Sequence, residues 1–216
     1  MFSGIIEEAA QVVSIVKGGQ SHKLSVKSSL NLSDVQVGDS IAIEGVCLTV
    51  VEKRGPQISF DLADETLRRS TLNELHVGSA VNFERSLKMG ERIHGHLVFG
   101  HVDATVEIID CYNEGVSTKL VLSFPEELRP FLAEKGSVAL AGTSLTIGEV
   151  EQHFFSVYLV PHTKEKTTLM KRKRGDKVNV EVDMLARYVV NALVVGQASQ
   201  TLSVDFLKSH GFLPEE

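Results

Sequence analysis

The second half of this chain repeats the first, and that limits the fold more than any single motif does. At an offset of 97 positions, SIAIEGVCLT (residues 40–49) lies over SVALAGTSLT (residues 137–146). At the same offset, STL (residues 70–72) lies over TTL (167–169), and GSAVNFE (78–84) over GDKVNVE (175–181). One gap earlier the offset becomes 96: Gly4 meets Gly100, and Lys23 and Leu24 meet Lys119 and Leu120. The 216 residues suffice for two domains of about 95 residues each. A unit this long is a duplicated domain, since a solenoid repeat runs to only about 20–50 residues. The expected division is a first domain over residues 1–96, a second over 97–183 and a helical oligomerisation segment over 184–216. Two similar domains offer two similar pockets, which suits a reaction between two molecules of one compound.

Within each repeat, short runs of Val, Ile, Leu and Thr are cut by Gly, Asn, Asp and Pro, the pattern of short strands. Ser40–Val51 and Ser137–Ile147 read as long β runs with a glycine inside, where a bulge or bend is expected. Phe155–Val160 and Lys177–Val182 alternate as half-buried strands do. Leu72–Leu75 and Pro125–Phe131 suit single helical turns. The fold expected is all-β: two tandem six-stranded antiparallel barrels followed by a C-terminal α-helix. That helix begins at Met184, where Leu185, Tyr188, Val189, Ala192 and Val195 recur at spacings of three and four. So much apolar surface packs on its own barrel or on other subunits, and oligomer formation is expected. Ser203–His210 reads as a second short helix stopped by Gly211.

The net charge of −6 comes without a basic block, so no nucleic-acid partner is expected. No apolar run approaches about 18 residues, so no membrane partner is expected either. The N-terminus lacks a basic stretch followed by an apolar run, and the only cysteines are Cys47 and Cys111. Free thiols and a cytoplasmic location follow as expectations. His94, His96 and His101 fit no common zinc spacing, and no metal site is expected.

Matches and differences between the halves mark the candidate chemistry. Parity puts Cys47 and Thr49 on one strand face, with Ser144 and Thr146 their counterparts. Small polar groups at matched positions suit a pocket for a polar heterocycle or a polyol, or simply make soluble strands. Cys47 stands opposite Ser144, Ser86 opposite Asp183, and Ile5 opposite His101. Cys47 also reads as a small buried hydrophobe, and Asp183 as the cap of the helix that follows. His101 is of a type that titrates near neutrality.

These residues resemble a known family. MFSGIIE at residues 1–7, GVCLTV at 45–50, GHLVFGHVD at 95–103 and SLTI at 144–147 look like riboflavin synthases of alpha-chain type, a lumazine-binding tandem-barrel family. The resemblance spans nearly the whole chain. It implies two six-stranded Greek-key barrels and a trimerising helix. The implied activity is a transferase reaction, in which two molecules of 6,7-dimethyl-8-ribityllumazine exchange a four-carbon unit without metal or organic cofactor. The products are riboflavin and 5-amino-6-(D-ribitylamino)uracil. The site implied lies between the N-terminal barrel of one subunit and the C-terminal barrel of its neighbour, and association with a lumazine synthase stays open.

Carried over by motif, the N-barrel pocket would use Gly4, Ile5 and Ile6, Ser40, Cys47, Leu48 and Thr49, and Asp61, Leu62, Ala63, Asp64, Glu65 and Thr66. The C-barrel pocket would use Gly100, His101 and Val102, Lys135, Ser144, Leu145 and Thr146, and Tyr158, Leu159, Val160, Pro161, His162 and Thr163, with His101 and Val102 at the seam and open to either pocket. His101 with Ser144 and Thr146 would handle protons, Cys47 or Ser40 would assist addition, and Asp183 matches a carboxylate near the C-barrel site. Three positions depart from the family pattern: Glu44, Phe99 and Ala141, the last taken to remove a polar partner from Ser144. The competing reading is a non-catalytic lumazine- or flavin-binding relative, like the bioluminescence antenna proteins.

Overall fold

The computed structural model describes residues 1–18 and 22–198. Strands β1 (Glu8–Val16), β2 (His22–Lys27), β3 (Ser40–Ile43), β4 (Val46–Arg54), β5 (Gln57–Leu62) and β6 (Ala80–Arg85) close into one antiparallel barrel in the order β1-β2-β5-β4-β3-β6. Strands β7 (Ala104–Glu114), β8 (Ser117–Ser123), β9 (Ser137–Leu140), β10 (Thr143–Val150), β11 (Phe154–Leu159) and β12 (Lys177–Val182) close a second barrel. Each β7–β12 strand takes the place of its counterpart in β1–β6, so the repeat in the sequence is a repeat in topology. Closure leaves no free sheet edge in either barrel. Short helices α1 (Asp64–Arg69) and α2 (Pro161–Lys166) follow β5 and β11, and α3 (Met184–Ala198) follows the last strand. Single 3-10 turns at Thr71–Glu74 and Glu126–Phe131 correspond to the short helical segments read from sequence.

Side-chain alternation decides what faces inward. On β4, Val46, Leu48 and Val50 enter the first core with Leu24, Phe60 and Phe83, while Cys47 and Thr49 point outward. On β10, Leu145 and Ile147 enter the second core with Leu122 and Phe155, and Ser144 and Thr146 point outward. The polar groups of interest therefore lie on the outer barrel walls, not inside the barrels.

The two long β runs are hairpins rather than single bent strands. Glu44 and Gly45 both have positive φ (49° and 78°), as do Ala141 and Gly142 (46° and 79°). Two consecutive residues of this kind make a tight two-residue turn. Sequence parity misses the reversal because glutamate and alanine rarely occupy such a position. The two turns meet at the seam between the barrels, and a Cβ on Gly142 would stand 2.9 Å from Gly45 Cα. Around them Phe2 and Val98 pair as a bridge and pack, fully buried, with Ala42 and Ala139.

At its start α3 is anchored to its own barrel. The Asp183 carboxylate accepts from the Leu185 amide at 2.9 Å, capping the helix. Arg187 pairs with Asp103 and lies 5.0 Å over the Phe131 ring. Leu185, Tyr188, Val189, Leu193 and Val194 remain exposed. The expected second helix at Ser203–His210 lies outside the described residues. Among the described residues no helix is long and apolar enough to cross a membrane.

Candidate functional site

Two outer-wall surfaces, one per barrel, gather the matched polar residues. On the first, Ser40 pairs with Thr49 and Ala42 with Cys47 across β3 and β4. Val50 pairs with Phe60 inside, and their outward neighbours Thr49 and Asp61 are exposed. The second surface repeats this with Ser144 and Thr146 on β10, where Ile147 pairs with Val157 and the outward Tyr158 is exposed. Leu48, Leu62, Leu145 and Leu159 belong to the cores and offer these surfaces only their backbone.

The structure packs Gly4 and Gly100 each on the barrel opposite to the one expected, and resolves the side of the seam left open for His101 and Val102. Gly100 packs on Cys47: its carbonyl accepts from the Cys47 amide at 3.0 Å. A Cβ at Gly100 would sit 2.5 Å from Cys47 Cβ. Val102 packs against the first core. Gly4 packs instead on Ser144, its carbonyl accepting from the Ser144 amide at 2.8 Å. Gly100, His101 and Val102 therefore complete the N-barrel surface, and Gly4 and Ile5 the C-barrel surface. Each leader segment crosses the seam before entering its own barrel, which a linear reading cannot show.

A buried carboxylate holds each crossing segment. Glu84 Oε1 accepts from the amides of Ser3, Gly4 and Ile5 at 2.8, 3.0 and 3.3 Å. Glu181 accepts from the amides of Phe99, Gly100 and His101 at 2.7, 2.8 and 3.1 Å. Burial pushes Glu84 up to about 7, against the pull of the Ser3 contacts. Burial also raises Glu181, opposed first by the Phe99 and Gly100 amides.

His96, which belongs to no zinc spacing, contacts Ser144. Its Nδ1 lies 2.7 Å from Ser144 Oγ, and Gly95 leaves no room for a side chain beside them. Burial lowers the His96 pKa, and the Asp183 carboxylate acts in the opposite direction. A neutral imidazole so placed can take the Ser144 proton at Nδ1. The expectation that His101 serves Ser144 is thus redirected: His96 holds Ser144, and His101 follows Gly100 beside the Cys47 surface. Comparing the halves could not find His96, because its counterpart positions fall in α3, outside the second barrel.

Other expected residues fall into place around these surfaces. Thr66 and Thr163 are half-buried on α1 and α2, and Ala63, Val160, Pro161 and His162 are exposed just before or within those helices. Asp64 pairs with His22 at 2.7 Å. Hydrogen bonds from Arg69 and Arg68 keep Glu65 below the usual carboxylate range. Lys135 has φ 66° where its counterpart is Gly38, a strained placement beside the strand end that carries Thr146. Tyr158 is backed by Lys119, whose ammonium lies 5.7 Å from the ring centroid and bonds Glu149 at 2.6 Å. Ile6 is buried, near Gly142 at the seam. Ser40 lines a cleft of about 600 Å³ with Ile5, Glu84, Ser86 and His94. Cys47, Thr49, Ser144 and Thr146 lie outside it, the first and third half-buried and the other two exposed. Among the described residues no three His, Cys, Asp or Glu side chains converge as metal ligands.

Ala141 does not deprive Ser144 of a partner. It is fully buried in the seam turn, and its carbonyl accepts from Asn82 Nδ2 at 2.9 Å. Its counterpart Glu44 accepts from Thr168 Oγ1 at 3.0 Å and from Arg172 at 2.8 Å. Thr71 is the counterpart of Thr168, and its Oγ1 is buried without a partner. The missing side chain at Ala141 therefore leaves Thr71, not Ser144, unsatisfied.

Doubled barrels with exchanged leader loops and matched polar walls define a tandem small-molecule-binding barrel protein, and comparison agrees. The lumazine binding domain family matches residues 3–86 and 99–183. The chain is similar to the riboflavin synthase of Photobacterium phosphoreum, with 42% identity over 99% of this chain and 100% of that one. It is 45% identical to that of Brucella abortus (strain 2308), covering 87% and 96% of the two chains. It is 38% identical to that of Bacillus subtilis (strain 168), covering 98% and 100%. A solved structure of LumP complexed with riboflavin shares the fold, with TM-score 0.77 and 24% identity over 84% of this chain and 99% of that one. The chain belongs to the riboflavin synthase family.

Proposed function

We propose that this protein carries out the riboflavin synthase reaction on two molecules of 6,7-dimethyl-8-ribityllumazine. A four-carbon unit passes from one to the other, giving riboflavin and 5-amino-6-(D-ribitylamino)uracil. The observation that carries the proposal is the pair of equivalent surfaces, Cys47–Gly100 and Ser144–Gly4, each built by a glycine carbonyl on a strand amide. One compound in two roles needs two alike sites with different reactive groups.

One lumazine loses a proton from its 7-methyl group while the other accepts a nucleophile at C7. In this reading His96 and Ser144 move protons at the C-barrel surface, near Asp183. Cys47, or a water it shares with Ser40, assists addition at the N-barrel surface, with His101 beside it. Thr49, Thr146 and neighbouring amides hold the heterocycle and stabilise the charge that develops on it. Holding two rings face to face accounts for up to ~7–11 kcal/mol of barrier lowering in favourable cases.

Both walls are open on one chain, and a second chain would close them. The exposed apolar residues of α3 support a homotrimer in which the N-barrel of one subunit meets the C-barrel of the next. Incubating the purified protein with 6,7-dimethyl-8-ribityllumazine alone and separating the products tests the function. Riboflavin and the pyrimidine accumulate in equal amounts if the proposal holds. Tight lumazine binding without either product would make the chain a silent binder instead.

A further inference from the structure

The buried carboxylates Glu84 and Glu181 do more than satisfy backbone donors. Each belongs to one barrel and grips a segment that completes the site on the other. Glu181, on β12 of the second barrel, fixes three consecutive amides from Phe99 to His101. The middle one belongs to Gly100, whose carbonyl holds Cys47 in the first barrel. Glu84, on β6 of the first barrel, grips Ser3 to Ile5, and the Gly4 carbonyl holds Ser144 in the second. The exchange is symmetric, but the geometry is not. Both Glu181 oxygens accept, one from Phe99 and the other from Gly100 and His101. For Glu84 only Oε1 accepts, and Oε2 is buried without a partner.

We propose that Glu181 is a positioning residue for the N-barrel site, acting through the Gly100 segment, while Glu84 positions the C-barrel site through the Gly4 segment. The proposal rests on the functional reading above and deepens it: each barrel's carboxylate sets the geometry of the other barrel's site. A carboxylate is needed at Glu181 because its two oxygens divide the three N–H donors, one taking Phe99 and the other Gly100 and His101. A carboxamide turns one of those acceptors into a donor facing a donor. The Gly100 segment then shifts, and with it the Cys47 amide and the His101 ring. A displacement of about 1 Å in such a site lowers turnover by about 10²-fold.

Cys47 is the natural local reporter. In a Cys111→Ser background it is the only thiol, since Cys111 is the other cysteine and lies exposed on β7. The measurement is the rate of Cys47 alkylation by iodoacetamide, with and without saturating riboflavin, alongside kcat and KM for lumazine. Glu181→Gln is expected to lower kcat by at least tenfold and to abolish most of the riboflavin protection of Cys47. Glu84→Ala is expected to lower kcat while leaving that protection within about twofold of the parent, because it acts on the Ser144 side. Equal loss of Cys47 protection in both variants would reduce the carboxylates to general seam stability and overturn the proposal. So would unchanged kcat and protection in Glu181→Gln. If Glu181→Gln does not fold, Glu181→Asp, which keeps the charge but shortens the reach, is read by the same two rates. Failure of the functional reading itself shows separately, as a Cys111→Ser parent that makes no riboflavin.

Discussion

Glu84 makes this protein's stability depend on pH between about 4.5 and 7. Burial raises its pKa from the ordinary 4.5 to about 7. The folded state therefore binds the proton more tightly than the unfolded state does. Below about pH 4.5 both states are protonated, and the stabilisation is fully present. As the pH rises through 7 the folded carboxyl must ionise in a buried setting, and stability is lost. A difference of about 2.5 units at 1.36 kcal/mol each gives about 3 kcal/mol. Glu84→Gln removes this dependence. It also keeps the grip on Ser3, Gly4 and Ile5, because only Oε1 accepts and the amide oxygen can take its place. The assay is urea unfolding of both proteins from pH 4.5 to 8. Relative to Glu84→Gln, the parent should lose about 3 kcal/mol across that range. Glu44 and Glu181 are also raised by burial, but they are common to both proteins and cancel in the difference. Parallel stability curves would refute the reasoning, since they would mean that Glu84 is ionised at ordinary pH with no penalty.

Three further predictions concern the seam and the sites. Phe2→Ala empties a fully buried position where the N-terminus meets both barrels; it should cost about 3–5 kcal/mol, measured by denaturant midpoint, and a cost under about 1 kcal/mol would show that the N-terminus does not anchor the seam. Ala141→Asn places a residue tolerant of positive φ in the turn and offers an amide to the orphaned Thr71 hydroxyl; a gain of about 1 kcal/mol in unfolding free energy is expected, and a loss would contradict the equivalence with Glu44. Gly100→Ala puts a methyl against Cys47 at φ 76°; kcat/KM for lumazine should fall on the order of 10²-fold while the fold persists by circular dichroism, and unchanged kinetics would remove Gly100 from the site.

Much of this architecture was legible because duplication writes the same β pattern twice. The six strands per barrel and the shared face of Cys47 with Thr49 and of Ser144 with Thr146 follow from local alternation. Most of what stayed hidden depends on contacts between residues far apart in sequence. The crossing of the Gly4 and Gly100 segments is fixed by Glu84 and Glu181, and nothing near Gly100 in the sequence points to Cys47. The hairpin turns were concealed because Glu44 and Ala141 are not the residues a two-residue turn announces itself with. His96 was visible as a residue but not as a partner, since the Ser144 hydroxyl 48 positions away gives it meaning.

In the proposed function two unlike sites, one from each of two chains, act on two copies of one compound. Gly100→Ala blocks the N-barrel surface and Gly4→Ala the C-barrel surface, so each variant alone should lose activity on the order of 10²-fold. The decisive measurement is riboflavin formation after the two variants are mixed, dissociated and reassembled. Restored turnover is predicted, because an intact N-barrel from one variant then meets an intact C-barrel from the other. No turnover from mixed assemblies that re-form normally would place both lumazines on a single chain and contradict the account.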